Sequence, residues 1–121
     1  IDMQAIFYEC SKLTTIDVTS WNTKNVTDMR AMFHACSGLT SLDLSSFNTR
    51  KVKDMSYMFQ KCTSLKTIYA SDGWSTNAVT AGDYTFNGCT AVKGAISFSP
   101  SKLSSEYANW TAGYLTYKSN T

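Results

Sequence analysis

The chain has 121 residues, of which 43% are hydrophobic and 17% are charged, and its formal net charge is +2. This balance is typical of a globular domain and excludes a disordered chain. No apolar run reaches the roughly 18 residues of a membrane-spanning helix, and no signal-peptide pattern is present. Acidic and basic residues are interspersed rather than gathered in a basic stripe. We therefore expect no nucleic-acid partner and no membrane insertion by this segment.

Four cysteines mark an internal repeat. Cys10, Cys36, Cys62 and Cys89 are separated by 26, 26 and 27 residues, a period typical of repeat architectures. Other apolar residues keep the same period and form columns that we expect to face the core. These columns are Phe7, Phe33, Phe59 and Phe86; Leu13, Leu39, Leu65 and Val92; Ile16, Leu42 and Ile68; Trp21, Phe47 and Trp74; and Val26, Val52 and Val79.

Each unit changes its apolar spacing along the chain. Residues 55–62 carry apolar side chains at i, i+3, i+4 and i+7, which predicts a short helix. Asp54, like Asp28 one unit earlier, stands where a helix N-cap is expected. Leu42 and Leu44 then alternate with polar residues, which predicts a short strand. A polar run turns the chain back towards the next helix.

One unit buries too little apolar surface to fold alone, so successive units must stack and close each other's core. Stacking brings their strands about 4.8 Å apart, the spacing of a sheet. The sequence therefore predicts an α/β repeat solenoid. Each coil of 26 residues is a short helix plus a short strand, and the strands form a parallel ladder.

Both ends of the array depart from the repeat. Residues 1–3 match the entry of a predicted helix, with Asp2 in the capping position, so we expect a further unit before them. In the fourth unit Ala81 replaces the capping aspartate, and residues 95–121 no longer repeat. We predict a repeat solenoid over residues 1–94, about three and a half coils long and truncated at its N-terminus. A capping segment follows over residues 95–121.

Two segments resemble a known repeat. DMRAMFHACSGLTSLDLSSFNTRKV and DMSYMFQKCTSLKTIY are similar to the 26-residue repeat of BspA-like leucine-rich-repeat surface proteins of bacteria. The resemblance covers residues 1 to about 94 and implies a leucine-rich-repeat-like fold. It also implies a bacterial cell-surface or secreted location and a role in adhesion. It transfers no ligand, because relatives of this kind differ in what they bind.

The cysteines and the single histidine give little support for chemistry. One cysteine per coil on the apolar face predicts a column of buried thiols. The expected distance between neighbouring coils would also allow a disulfide between them. Zinc is not expected, since no CxxC occurs and His34 aligns with varied residues at a position predicted to face solvent. We expect no catalytic residue, no cofactor and no metal.

Asp17 and Asp43 align on the predicted strands. Stacked carboxylates would repel by about 1 kcal/mol in water, and a bound calcium ion could offset that repulsion. The simpler interpretation is two solvated acids on the outer strand face. We prefer that interpretation and keep calcium as the alternative.

Outward strand positions form the candidate ligand-binding face. They make three columns of mostly short hydroxyl and acidic side chains: Thr15, Ser41 and Thr67; Asp17, Asp43 and Tyr69; Thr19, Ser45 and Ser71. Repeat proteins commonly bind through such a continuous face. The outer face of the predicted helices, from Arg30 to Ala35 and its equivalents, is the second candidate.

The leading functional hypothesis is a non-catalytic binding or adhesion module. Its partner would be a protein or glycan on a host or neighbouring cell, with flanking repeats or domains of a longer protein beside it. The alternative is a structural stalk or spacer in a larger surface protein. A third hypothesis, an enzyme such as a hydrolase, would depend on His34 as the one histidine.

Overall fold

A small parallel sheet runs across the repeat units in the computed structural model, which describes residues 3–119. Strand β1 is Ser41–Leu44, β2 is Thr67–Ala70 and β3 is Leu115–Tyr117, and they lie in the order β1-β2-β3. A short 3-10 helix, Ser105–Tyr107, precedes β3. Within residues 3–119, no helix is long and apolar enough to cross a membrane. Ile1 and Asp2, and with them the predicted helix entry at the start of the chain, lie outside the described residues.

The register of the sheet follows the repeat period. Ser41 of β1 lies opposite Thr67 of β2, and Asp43 lies opposite Tyr69, so residues 26 positions apart are neighbours, as the columns predict. The parallel ladder is therefore confirmed for the second and third units. It is wrong for the first unit, where residues 15–18 are irregular and no backbone hydrogen bond within residues 3–119 joins them to β1.

The predicted helices are also wrong. Residues 29–36 and 55–62 fold into successive tight turns instead. Ala31 and Ala35 have φ of 54° and 60°, and Tyr57 and Lys61 repeat this with 59° and 63°. An α-helix has no residues in this left-handed region.

Backbone hydrogen bonding between units explains the turns. In an α-helix each N–H bonds to the carbonyl four residues earlier in the same segment. Here alternate N–H groups reach the next unit instead: Ala31 donates to the Ser56 carbonyl at 3.0 Å and Phe33 to the Met58 carbonyl at 2.9 Å. The intervening N–H of Met32 donates to the Met29 carbonyl, three residues back, at 3.2 Å. The ribbon of turns presents the same side chains inward as a helix would, while its backbone is shared with the neighbouring unit.

A column of phenylalanine rings forms the centre of the core. The ring centroids of Phe7, Phe33, Phe59 and Phe86 follow one another at 5.5, 5.7 and 5.5 Å, with interplanar angles of 5°, 2° and 15°. Tyr114 closes the column with its ring at 4.9 Å from Phe86 and tilted by 68°. The inward columns are confirmed in the second and third units, where Phe33, Phe59 and their apolar neighbours are fully buried.

Short polar side chains fix the corners of each unit. Asp54 Oδ1 accepts from the backbone N–H and the hydroxyl of Ser56, and Asp28 Oδ1 accepts from the N–H of Arg30 at 2.9 Å. The predicted capping aspartates therefore cap turns rather than helices, by the local side-chain hydrogen bonds that these residues favour. Thr49 adds a bond between units, since its hydroxyl donates to the Ser75 carbonyl at 2.8 Å and accepts from the Ser75 N–H at 2.7 Å.

The C-terminal segment replaces the strand that the fourth unit does not form. Lys93 continues the ladder with one bond to the Lys66 carbonyl, and the chain then folds back through a bridge between Lys93 and Ser97. Strand β3 occupies the vacated edge, pairing Leu115 with Ile68 of β2. Gly94 permits this exchange, because a Cβ there would lie 2.4 Å from the Leu115 carbonyl oxygen. The division of the chain at residue 94 stays a prediction.

The left-handed turn at Ala35 makes a glycine substitution informative. Glycine removes a cost of roughly 1–2 kcal/mol for φ above zero but adds about 0.5–1 kcal/mol of backbone entropy. Ala35→Gly should therefore leave the free energy of unfolding unchanged or raise it by up to about 1.5 kcal/mol. The fourth unit already has Gly88 at this position, with φ of 82°. Urea titration followed by circular dichroism measures the effect.

Ala78→Gly is the matched control, since Ala78 is not among the residues with positive φ. It should lose about 0.4–1 kcal/mol through the entropy of the unfolded chain. If Ala35→Gly were destabilised by about 1 kcal/mol, as glycine in a helix is, the turn assignment would be wrong.

Candidate binding face

Four of the predicted site residues lie side by side on the sheet. Ser41 and Asp43 project from β1 beside Thr67 and Tyr69 of β2, and the buried residues of the strands alternate with them. Ser41 is exposed and the other three are half-buried. We call these four residues the strand face.

The first-unit residues of the predicted face do not join it. Thr15, Asp17 and Thr19 are exposed and lie outside the sheet. Asp17 Oδ1 accepts from the N–H and hydroxyl of Thr19 at 3.1 and 2.7 Å. Both hydrogen bonds lower the pKa of Asp17, and the one from the Thr19 hydroxyl has the larger effect. The charge of Asp43 acts in the opposite direction. The sheet therefore carries the second-unit and third-unit members of two predicted columns, and the first-unit members stand apart.

Ser45 and Ser71 correct the prediction in a different way, because they are only 7% and 4% exposed. The hydroxyl and N–H of Ser45 donate to Asp43 Oδ1 at 2.6 and 2.9 Å, so the chain turns inward directly after β1. Both serines line a shallow cleft of about 290 Å³, together with Asn48, Asp72 and Ser119. They stabilise the edge of the strand face and are not its exposed surface.

Lys118 belongs to the strand face, although sequence reasoning missed it. Its Nζ lies 2.6 Å from Asp43 Oδ2 and 5.3 Å from the centroid of the Tyr69 ring. The N–H of Lys118 also donates to the Ala70 carbonyl at 2.9 Å, so strand pairing delivers the side chain to this place. The alternation of Leu115 and Tyr117 indicates a strand, but no sequence signal identifies its partner.

The ion pair changes the electrostatics of both groups. Partial burial raises the pKa of Asp43, but hydrogen bonds from Lys118 and Ser45 together outweigh it and hold that pKa below its ordinary value. The hydrogen bond to Asp43 raises the pKa of Lys118. Lys118 thus neutralises Asp43, one of the two carboxylates for which a bound calcium ion is the alternative interpretation. Within residues 3–119, no three acidic, cysteine or histidine side chains are grouped as a metal site.

The buried thiol column is confirmed for Cys36, Cys62 and Cys89, and Cys10 is half-buried. All four are free thiols. The Sγ atoms of Cys36 and Cys62 donate to the carbonyls of Phe7 and Phe33, each at 3.0 Å, so these thiols bond to the backbone of the preceding unit. Burial raises the pKa of Cys36 to about 12.

His34 is not the solvent-facing residue that the sequence predicts. It is half-buried, and its ring stacks on Tyr8 with centroids 4.6 Å apart and planes 9° apart. Its Nδ1 atom is buried without a hydrogen-bond partner. A nitrogen shielded in this way cannot take a proton from a substrate without rearrangement, because general-base catalysis needs hydrogen-bond contact with the reacting group.

Comparison with known proteins gives one family. A family model described as "Mycoplasma protein of unknown function, DUF285" matches residues 1–99. No curated protein matches the chain. No solved structure matches it either.

Thiol reactivity tests the buried column. Only the thiolate reacts with Ellman's reagent, and burial suppresses both thiolate formation and access. Of the four free thiols, we expect Cys10 alone to react promptly in the native protein at pH 8. The remainder should react after unfolding in guanidinium. Cys10→Ser should abolish the prompt phase, and prompt reaction of any remaining thiol in that variant would contradict the burial.

The Asp43–Lys118 pair predicts a pH dependence. A carboxyl group with a depressed pKa in the folded protein contributes stability that is complete above its unfolded pKa. That contribution is lost as the pH falls through the lower pKa of the folded protein. The wild type should therefore have a higher Tm than Asp43→Asn at pH 7, and the difference should vanish as the pH falls below the ordinary aspartate value of 3.8.

The contribution of Lys118 to stability depends on pH in the opposite direction, because its pKa is raised in the folded protein. Its contribution is complete below the ordinary lysine value of 10.5 and is lost as the pH rises through the higher pKa of the folded protein. Lys118→Gln supplies the second measurement, and the Tm loss of each variant should shrink in high salt. A loss in Asp43→Asn that stays constant from pH 7 to pH 2 would be evidence against the ion pair.

Proposed function

The chain belongs to the family described as "Mycoplasma protein of unknown function, DUF285", and we propose that it is a non-catalytic binding module at the cell surface. Its partner is a protein or glycan on a host or neighbouring cell. The observation that carries the proposal is the strand face, where Asp43 and Lys118 meet beside Tyr69 on a paired sheet. Polar and aromatic groups held on a rigid sheet suit recognition of a macromolecule.

The finer fold assignment is part of the same proposal. The period of the columns and the bonds from each unit to the next support a leucine-rich-repeat-like solenoid over the repeat region. Sequence resemblance to BspA-like surface repeats supports location at the cell surface or outside the cell. In this proposal residues 95–119 cap the array, because Tyr114 covers the last phenylalanine and β3 covers the last strand.

The strand face can recognise a partner without chemistry of its own. Asp43 offers its carboxylate as an acceptor and Lys118 offers a donor, so a ligand with adjacent donor and acceptor groups can bond to both. The Tyr69 ring adds a flat apolar surface beside them. Protein surfaces and glycan hydroxyl groups both present this combination of groups.

A binding screen tests the proposal. The chain should bind saturably to one member of a panel of extracellular-matrix proteins, mucins and glycans, and Tyr69→Ala, Asp43→Ala should reduce that binding at least ten-fold. The control is Tyr8→Ala, Glu9→Ala, a matched aromatic and acidic pair that is exposed in the first unit. Circular dichroism must show that both double variants fold.

The other outcomes are distinct. Binding that survives the strand-face variant and is lost in the control would place recognition elsewhere. Absence of binding across the panel would favour the alternative of a stalk or spacer. Turnover of a substrate that His34→Ala abolishes would instead indicate an enzyme.

A further inference from the structure

A column of cationic and aromatic side chains runs along the turn ribbons, on the outer face that they present. The Arg30 guanidinium lies 5.9 Å from the Tyr57 ring centroid, and the Tyr57 and Tyr84 rings stack at 5.8 Å with planes 25° apart. Tyr84 ends the column and is 51% exposed. Arg30 and Tyr57 each have a flat neighbour in the next unit, whereas residues 95–121, which follow the unit of Tyr84, no longer repeat.

Beyond Tyr84 the surface opens into a cleft of about 440 Å³ between the fourth unit and the C-terminal segment. Its walls carry two tyrosines and two carboxylates, Tyr84, Tyr107, Asp83 and Glu106, with hydroxyl groups at Ser101 and Ser104. We call it the tyrosine cleft. Among the described residues, no lysine or arginine lines the cleft, but Lys102 reaches its edge with Nζ 6.0 Å from the Tyr107 ring centroid. The two carboxylates therefore outnumber the one nearby cation, although the chain has a net charge of +2.

Backbone bonds hold the two walls of the tyrosine cleft together. The Ser105 N–H donates to the Gly82 carbonyl at 2.8 Å and the Phe86 N–H donates to the Leu103 carbonyl at 2.8 Å. Ser104 caps the 3-10 helix that carries Glu106. The cleft is therefore formed before a ligand arrives, which reduces the ordering cost of binding.

The chain already uses its tyrosines to hold cations. Besides Arg30 on Tyr57, Lys118 Nζ lies 5.3 Å from the Tyr69 ring centroid and Lys102 Nζ lies 6.0 Å from that of Tyr107. A ring face attracts a cation through its quadrupole, most effectively where water is partly excluded. Among Tyr57, Tyr69, Tyr84 and Tyr107, Tyr84 alone has no such contact from the described residues.

We propose that the tyrosine cleft binds an arginine side chain of a partner protein. The guanidinium would lie over the Tyr84 ring, as that of Arg30 lies over Tyr57, and donate to the carboxylates of Asp83 and Glu106. Arginine fits better than lysine because its planar group can stack and also make paired hydrogen bonds to a carboxylate. The cleft lies apart from the strand face, so this second contact does not depend on the function proposed for that face.

Titration with a small probe tests the proposal directly. N-acetyl-arginine amide, added to ¹⁵N-labelled protein, should shift the amide signals of Asp83, Tyr84 and Glu106 saturably. N-acetyl-citrulline amide has almost the same shape without the charge and should shift them at least five-fold less. Binding should also weaken as salt rises, because the carboxylates are exposed.

Variants localise the effect. Tyr84→Leu and Glu106→Gln should each weaken binding of the arginine probe at least three-fold, while the strand-face variant Tyr69→Ala, Asp43→Ala should bind it as the wild type does. Glu106 is exposed, so its amide variant should fold normally even if Tyr84→Leu does not. Equal shifts from the citrulline probe, no saturable shift in the cleft, or full binding by Glu106→Gln would each overturn the proposal.

Discussion

The fold depends on backbone hydrogen bonds that leave one repeat unit and end on the next. Half of the N–H groups in the turn ribbons 29–36 and 55–62, such as those of Ala31 and Phe33, donate outward to the following unit. A unit by itself would leave these groups without protein partners, in addition to exposing its apolar side chains. The rise between units is set by these bonds, and the phenylalanine rings stack at the resulting spacing of about 5.5 Å. The left-handed residues are part of the same arrangement, because they turn alternate N–H groups away from their own segment.

Both proposed contact surfaces occur where the repeat meets the C-terminal segment. The strand face gains its cation from Lys118, and the tyrosine cleft gains one wall from residues 101–107. The regular units contribute rigid positions, while the irregular segment contributes the charges and rings that make those positions distinctive. Binding groups placed on a fixed scaffold in this way keep their geometry without a large ordering cost. The two surfaces also differ in charge, since the strand face contains an ion pair and the tyrosine cleft is lined by two carboxylates.

Much of the core could be predicted from the sequence, because side-chain period reports which residues face inward. Phe33, Phe59 and the buried cysteines follow directly from the spacing of 26 residues. The backbone could not be predicted in the same way. A helix and a ribbon of turns both place i, i+3, i+4 and i+7 on one side, and alanine at a left-handed position gives no signal. Lys118 lies 75 residues from Asp43, so only the pairing of β3 with β2 brings them together. Strand alternation predicts that Ser45 faces outward. It is buried instead, because the chain turns inward directly after β1.

The turn ribbons also give the molecule a direction. In the second unit the carbonyls of Met32 and His34 accept from the unit before. Their equivalents in the first unit, the carbonyls of Ile6 and Tyr8, therefore face away from the second unit, and within residues 3–119 no backbone N–H donates to them. Each ribbon thus presents N–H groups to the unit after it and carbonyls to the unit before it. Because donors must meet acceptors, units can stack in only one orientation, and a unit inverted within the stack would oppose carbonyl to carbonyl.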